Sequence, residues 1–75
     1  MTVAEIEAVL KKAFPDAQMD VGPLKDDGRH FYCRIASKAF ANHSKVQQHQ
    51  MVYKALDELI AQGLHALSLQ TSVLA

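Results

Sequence analysis

The sequence has a single cysteine, Cys33, among its 75 residues, so no disulfide within the chain can support the fold. A lone thiol is typical of a protein kept in a reducing compartment and gives no sign of a secreted disulfide scaffold. A chain of this length predicts one small domain spanning residues 1–75, with a core that is only marginally sufficient. Its 49% of hydrophobic residues must supply that core.

Long apolar runs and targeting signals are also lacking. No segment approaches the roughly 20 apolar residues that cross a bilayer. The N-terminal MTVAEIEAVLKK lacks the basic-then-apolar order of a signal peptide, and its early glutamates argue against a transit peptide. We therefore expect a soluble cytoplasmic protein, or an organellar matrix protein after removal of a transit peptide.

The net charge is zero, but the two signs are segregated along the chain. Residues 1–28 carry three lysines and six acidic residues, whereas residues 29–56 carry no acidic residue. The basic residues of that second stretch are Arg29, Arg34, Lys38, Lys45 and Lys54. They are either the ordinary charge of exposed strands and helices or an anion-binding surface for nucleic acid or an acidic partner.

Capping patterns and apolar spacing predict two main helices. The two capping boxes are Thr2 with Glu5 and Ser44 with Gln47. Pro15 ends the first helix, and Gly63 is suited to end the long second helix in a left-handed conformation. The short KAF segment at 38–40 is expected to form one helical turn.

Three segments alternate apolar and polar residues as half-buried strands do, namely 17–21, 29–37 and 64–71. The loop after the first strand is expected to begin at Gly22, and the first two strands are expected to be antiparallel. The predicted order is α-β-β-(short α)-α-β. It predicts an α+β fold with a small three-stranded sheet and helices on one face.

The stretch from Phe31 to Thr71 resembles the BolA family. The matching motifs are HF at 30–31, the Ser37 and Phe40 of a Ser-x-x-Phe motif, VQQHQMVYKAL at 46–56 and LHALSL at 64–69. The resemblance implies a fold akin to the type II KH domain. It also implies a role with a monothiol glutaredoxin in binding and passing on a [2Fe-2S] cluster.

His65 shares a predicted strand face with Leu67 and Leu69, so by position it is either a neutral core histidine hydrogen-bonded to a carbonyl or a metal ligand at the end of the strand. The resemblance implies that His65, which opens the last strand, is a cluster ligand. Further ligands would come from the glutaredoxin cysteine, from glutathione, and from a Cys or His on the loop between the first two strands. That loop, GPLKDDGR, contains neither, so the second ligand of this chain is His30 at its C-terminal edge or is absent. No cofactor is expected on the isolated chain.

Cys33 is a poor ligand candidate by its position. It lies three residues after His30 on the same predicted strand, so the two side chains point to opposite faces and cannot chelate one metal together. Its neighbours Phe31 and Ile35 predict that the thiol packs in the core. Asn42 replaces a glycine that many BolA proteins carry, but asparagine also tolerates a left-handed backbone.

The remaining histidines have other predicted roles. His43 is expected to be a solvated turn residue. His49 is predicted to pack against the sheet as a buried hydrogen-bonding residue, with contact to a partner as the alternative. No nucleophile with a base in register, phosphate-cradling glycine loop or zinc knuckle is recognisable, so no enzyme is predicted.

The alternative function is a KH-like nucleic-acid-binding transcriptional regulator. Its candidate nucleic-acid or partner surface consists of Arg34, Lys38, Lys45, Lys54 and His49. Only Tyr32 offers a stacking aromatic beside these groups, and the bend FANHS lacks the glycines of a KH loop. Any DNA or RNA binding is therefore expected to be weak and salt-sensitive.

Overall fold

The structure, a computed structural model, describes residues 2–64 and 66–74. Its elements are α1 (Val3–Ala13), β1 (Gln18–Pro23), β2 (His30–Ala36), a 3₁₀ turn (Lys38–Phe40), α2 (Lys45–Ala55), α3 (Asp57–Ala61) and β3 (Ala66–Ser72). The predicted order is confirmed. The long second helix is divided, because the backbone at Leu56 leaves the helical conformation with φ −92° and ψ 8°.

Both predicted capping boxes are present. Thr2 Oγ1 accepts the backbone N–H of Glu5 at 3.2 Å, and Glu5 Oε1 accepts that of Thr2 at 3.2 Å. At α2, Ser44 and Gln47 make the same reciprocal pair at 3.2 and 2.9 Å. These bonds satisfy N–H groups that the first turn of a helix leaves without partners, so they define where both helices begin.

The three strands are ordered β1-β2-β3 in the sheet. β1 and β2 are antiparallel, as predicted, while β2 and β3 are parallel. A parallel pair cannot be joined by a hairpin turn, and here the chain between the two strands contains the 3₁₀ turn, α2 and α3.

β1 is longer than predicted, because Gly22 and Pro23 continue the strand. A proline is tolerated there because β1 is the outer strand of the sheet that the described residues form. Gly22 lies beneath Tyr32, and a Cβ at Gly22 would lie 2.5 Å from Cε2 of the Tyr32 ring, so any larger residue there would displace that ring. The predicted loop start at Gly22 is therefore wrong.

The helices pack on one face of the sheet. Phe31, Cys33 and Ile35 of β2 point to that face and are at most 3% exposed. The core residues contributed from outside the sheet include Ile6, Leu10, Phe40, Val52 and Leu56. His30, Tyr32 and Arg34 alternate with the buried residues of β2 and lie on the opposite face. The α+β class is confirmed, and the KH likeness stays a prediction.

Two turn residues have the left-handed backbone expected of them. Asn42, before α2, has φ 65°, and Gly63, after α3, has φ 120°. Among the helices that the structure describes, none is both long and apolar enough to span a bilayer.

Candidate functional site

The candidate site is centred on His30, the first residue of β2. Its ring Nδ1 lies 2.5 Å from Oδ2 of Asp27. The other carboxylate oxygen, Oδ1, accepts the backbone N–H groups of Arg29 at 2.9 Å and of His30 at 3.2 Å. One aspartate thus closes the turn before β2 and also contacts the imidazole at the strand's end.

These contacts favour the ionised form of Asp27. The backbone N–H of Arg29 has the largest effect and, together with the side chain and backbone N–H of His30, lowers the pKa of Asp27 to about 2 against an opposing desolvation. Near neutral pH the group is therefore a carboxylate, which only accepts hydrogen bonds.

The beginning of β3 lies beside His30. Ala66 pairs with His30 in the β2–β3 register, and its backbone N–H donates to the Arg29 carbonyl at 3.3 Å. Asp27, Arg29, His30 and Ala66 line one open depression on the surface. His65, the predicted principal ligand, precedes Ala66 in the sequence but lies outside the described residues, so its role stays a prediction.

Sequence reasoning missed Asp27. The glycines, proline and aspartates of the loop predict a turn, but they assign no partner to either carboxylate. An aspartate in a turn often accepts the backbone N–H groups two and three residues later, but Asp26 has the same spacing as Asp27, so the spacing alone does not select Asp27.

Cys33 is packed in the core, as predicted. The side chain is fully buried between Phe31 and Ile35, and this burial, with a smaller contribution from Asp20, raises the pKa of the thiol to about 11. Metal binding requires the thiolate, which this environment disfavours. His30 lies on the opposite face of the strand.

The prediction that His49 lies against the sheet is confirmed, but the buried hydrogen-bonding role predicted for it is wrong. That role belongs to Gln48, which is 5% exposed, while His49 is half-buried in a depression beside Leu69 of β3. Gln48 lies four residues before the core residue Val52 and shares its face of α2. Its amide also supplies a donor and an acceptor, and both are used.

The basic residues proposed as a nucleic-acid surface are divided between two sides of the domain. Arg34 is exposed on the sheet face opposite the helices, between Asp20 and Gln70 in register. Lys54 is exposed on α2, on the helical side. Lys45, also on α2, donates to the Thr71 carbonyl of β3.

Lys38, the remaining lysine of the proposed nucleic-acid surface, lies in the 3₁₀ turn that follows β2, and its side chain is exposed.

Within residues 2–64 and 66–74, no three His, Cys, Asp or Glu side chains are grouped closely enough to hold a metal ion.

The fold and site together define a small α+β domain whose sheet joins an antiparallel and a parallel strand pair, with a carboxylate-bound histidine where β2 begins. A family model described as BolA-like protein matches residues 5–74. The chain belongs to the BolA-like family, which confirms the resemblance seen in its motifs.

Known proteins support this assignment. Uncharacterized protein RP812 of Rickettsia prowazekii is 32% identical over 71 residues, which cover 95% of this chain and 92% of that protein. The structure of BolA1 from Arabidopsis thaliana matches with a TM-score of 0.87 and 26% identity, covering 97% of this chain and 92% of that one. The DNA-binding transcriptional regulator BolA of Haemophilus influenzae is 48% identical over 40 residues, or 53% of this chain and 39% of that protein.

Proposed function

We propose that this protein is a non-catalytic adaptor that pairs with a monothiol glutaredoxin to bind, sense or transfer a [2Fe-2S] cluster, in the cytoplasm or an organellar matrix. The observation that carries the proposal is the position of His30, which contacts Asp27 and lies beside Ala66, the residue that follows His65. Membership of the BolA-like family supports it.

The cluster is the cargo of the complex. His65 and His30 would be the ligands from this chain, and the glutaredoxin cysteine and glutathione would supply thiolates. Replacing thiolate by imidazole raises the reduction potential of a [2Fe-2S] centre, as in Rieske proteins. A histidine-ligated cluster suits transfer or sensing better than permanent storage.

The environment of His30 fits a ligand of this kind. Histidines that bind metals usually donate their other ring N–H to a carboxylate, a carbonyl or water, and here Asp27 occupies that place. About a third of the side chain, 32%, is exposed, so a partner can reach the ring. Cys33, buried with a raised pKa, lacks both properties.

Reconstitution with a monothiol glutaredoxin, iron, sulfide and glutathione tests the proposal. We expect a one-to-one complex on a sizing column, with a visible spectrum different from that of the glutaredoxin alone. His65→Ala should abolish that difference and His30→Ala should alter it, whereas Cys33→Ala, the control, should leave it intact. No complex together with an unchanged spectrum would refute the adaptor role.

A nucleic-acid-binding regulator is the second candidate, because the Haemophilus influenzae relative is named a DNA-binding transcriptional regulator. Arg34 and Lys54 lie on different sides of this domain, which favours weak, sequence-independent contact with phosphates. Tyr32 lies against Gly22, and its hydroxyl donates to Asp20 at 3.3 Å, so a carboxylate stands beside the one candidate stacking ring.

Titration of labelled DNA and RNA at near-physiological salt, with and without the glutaredoxin, distinguishes the two functions. Tight, sequence-selective binding that is lost in Arg34→Ala or Lys45→Ala would favour the regulator. Binding that disappears steeply with added salt and ignores sequence would favour the adaptor.

A further inference from the structure

Asp27 uses its two carboxylate oxygens for different tasks. Oδ1 accepts two backbone N–H groups, those of Arg29 and His30, and so fixes the carboxylate to the turn. Oδ2 is then directed at the His30 ring, 2.5 Å from Nδ1. The backbone N–H of Leu24 donates to the His30 carbonyl at 2.9 Å and so closes the turn. Within the turn, Gly28 has a left-handed backbone with φ 68°, which glycine adopts readily.

This arrangement determines which ring nitrogen carries the proton. A neutral imidazole has one N–H and one lone pair, and either nitrogen can hold the proton. A carboxylate offers only acceptors, so the nitrogen that faces Asp27 must be the donor. The lone pair is then at Nε2, on the far side of the ring from Asp27.

We propose that Asp27 is the positioning residue of this site: it holds His30 as the Nδ1–H tautomer in one orientation and leaves Nε2 as the atom that binds a metal. The tautomer follows from the contacts of the apo protein alone. That Nε2 binds a metal, and that the metal group is the shared [2Fe-2S] cluster, rests on the function proposed above.

Asp27→Asn is the informative variant. The single amide oxygen of asparagine can keep the two backbone N–H bonds that fix the turn, which places its NH₂ group against Nδ1 of His30. That group is a donor, so Nδ1 must accept and the proton must move to Nε2. The substitution therefore preserves the loop and blocks the ligating nitrogen. Asp26→Asn, the same change at the exposed neighbouring position, is the matched control.

The first measurement is the ¹⁵N–¹H correlation spectrum of the histidine rings in the apo protein, at a pH where the same spectra show the ring to be neutral. We expect His30 to be protonated at Nδ1 in the parent protein and in Asp26→Asn, and at Nε2 in Asp27→Asn. His30→Ala assigns the signals. An Nε2–H tautomer in the parent protein would overturn the proposal, and so would an Nδ1–H tautomer in Asp27→Asn.

The second measurement is cluster retention in the reconstituted complex. Loss of a residue that orients a metal ligand typically costs 10–100-fold in metal affinity, so Asp27→Asn should release the cluster about 10–100-fold more readily, and Asp26→Asn should not. If the tautomer inverts but His30→Ala retains the cluster as the parent does, Asp27 positions the ring and the ligand assignment of His30 fails. The two proposals are thus separable.

Discussion

Gln48 makes the strongest stability prediction, because it joins three parts of the fold from a buried position. Its Nε2 donates to the carbonyls of Phe40 at 3.2 Å and of His43 at 2.9 Å, and its Oε1 accepts the Thr71 hydroxyl at 2.7 Å. The bend before α2, the helix itself and β3 are connected through this one amide. Gln48→Met keeps the length of the side chain and removes all three bonds.

The loss is largest at Thr71, which is 5% exposed and loses its acceptor. A buried hydroxyl without a partner costs about 1–3 kcal/mol, and each further net hydrogen bond contributes about 0.5–1.5 kcal/mol. The Phe40 carbonyl still accepts the His43 N–H at 3.2 Å, and His43 is exposed, so its carbonyl is expected to find water. We therefore expect Gln48→Met to cost about 2–4 kcal/mol, a large fraction of the stability of a small domain.

Urea unfolding followed by far-UV circular dichroism measures this cost. Thr71→Val alone should cost about 1–3 kcal/mol, and adding it to Gln48→Met should cost little more, since both partners are then apolar. The magnitude of the coupling in this double-mutant cycle should therefore be about 1–3 kcal/mol, the cost of Thr71→Val alone. Gln50→Met, the same change at an exposed position of α2, should be nearly neutral.

Additive costs in this cycle, or a Gln48→Met variant as stable as Gln50→Met, would refute the reasoning. The cluster spectrum should not change in any of these variants. Thr71 lies five residues along β3 from Ala66, or about 16 Å at the usual rise of a strand, so the network is remote from the candidate site.

Two further predictions concern ionisable groups. Burial raises the pKa of Cys33 from 9.0 to about 11, so the folded protein should react with a thiol reagent only on unfolding. The stability of the fold should also fall as the pH rises from about 9 toward 11, and this fall should be absent in Cys33→Ala. Rapid labelling of the native protein would contradict the prediction. Asp16 accepts the Lys38 N–H at 2.8 Å and the Ser37 hydroxyl at 2.7 Å, and the Lys38 bond contributes most to lowering its pKa below 3.8. The ionised Asp16 stabilises the fold above pH 3.8, and this stabilisation is lost as the pH falls below that value. Asp16→Asn should therefore be less stable than the parent at pH 7, and the difference in stability should be smaller in strong acid. An equal difference in stability at both pH values would exclude this role.

Much of the fold followed from local patterns. Capping boxes located the starts of α1 and α2 because the caps bond within four residues of themselves, and alternation assigned the faces of β2 because strand geometry has a period of two. The family followed from motifs of specific residues at fixed spacing. The residue types alone did not show whether Gln48 or His49 is buried. These neighbours lie about 100° apart around α2, so only one of the two side chains faces the core.

The candidate site was predictable only in part. The resemblance to the BolA family implied a Cys or His ligand on the loop between β1 and β2, which left either His30 at the edge of that loop or no second ligand. The sequence did not assign Asp27 as the partner of His30, because the backbone angles of the intervening residues decide whether the carboxylate reaches the ring. Likewise, the acid-free stretch from Arg29 to Leu56 left open whether its basic residues form one surface, and the structure places Arg34 and Lys54 on different sides of the domain.

The sequence by itself therefore determined the element types, their order and the buried faces of the strands, which depend on interactions between residues close in the chain. Its motifs determined the family. Tertiary structure decided the parallel pairing of β2 with β3, which brings Ala66 beside His30 across 36 residues of sequence. It also decided the continuation of β1 through Gly22, which pairs with Tyr32 of the neighbouring strand. Contacts between distant residues are fixed by packing of the whole core, so local periodicity carries no record of them.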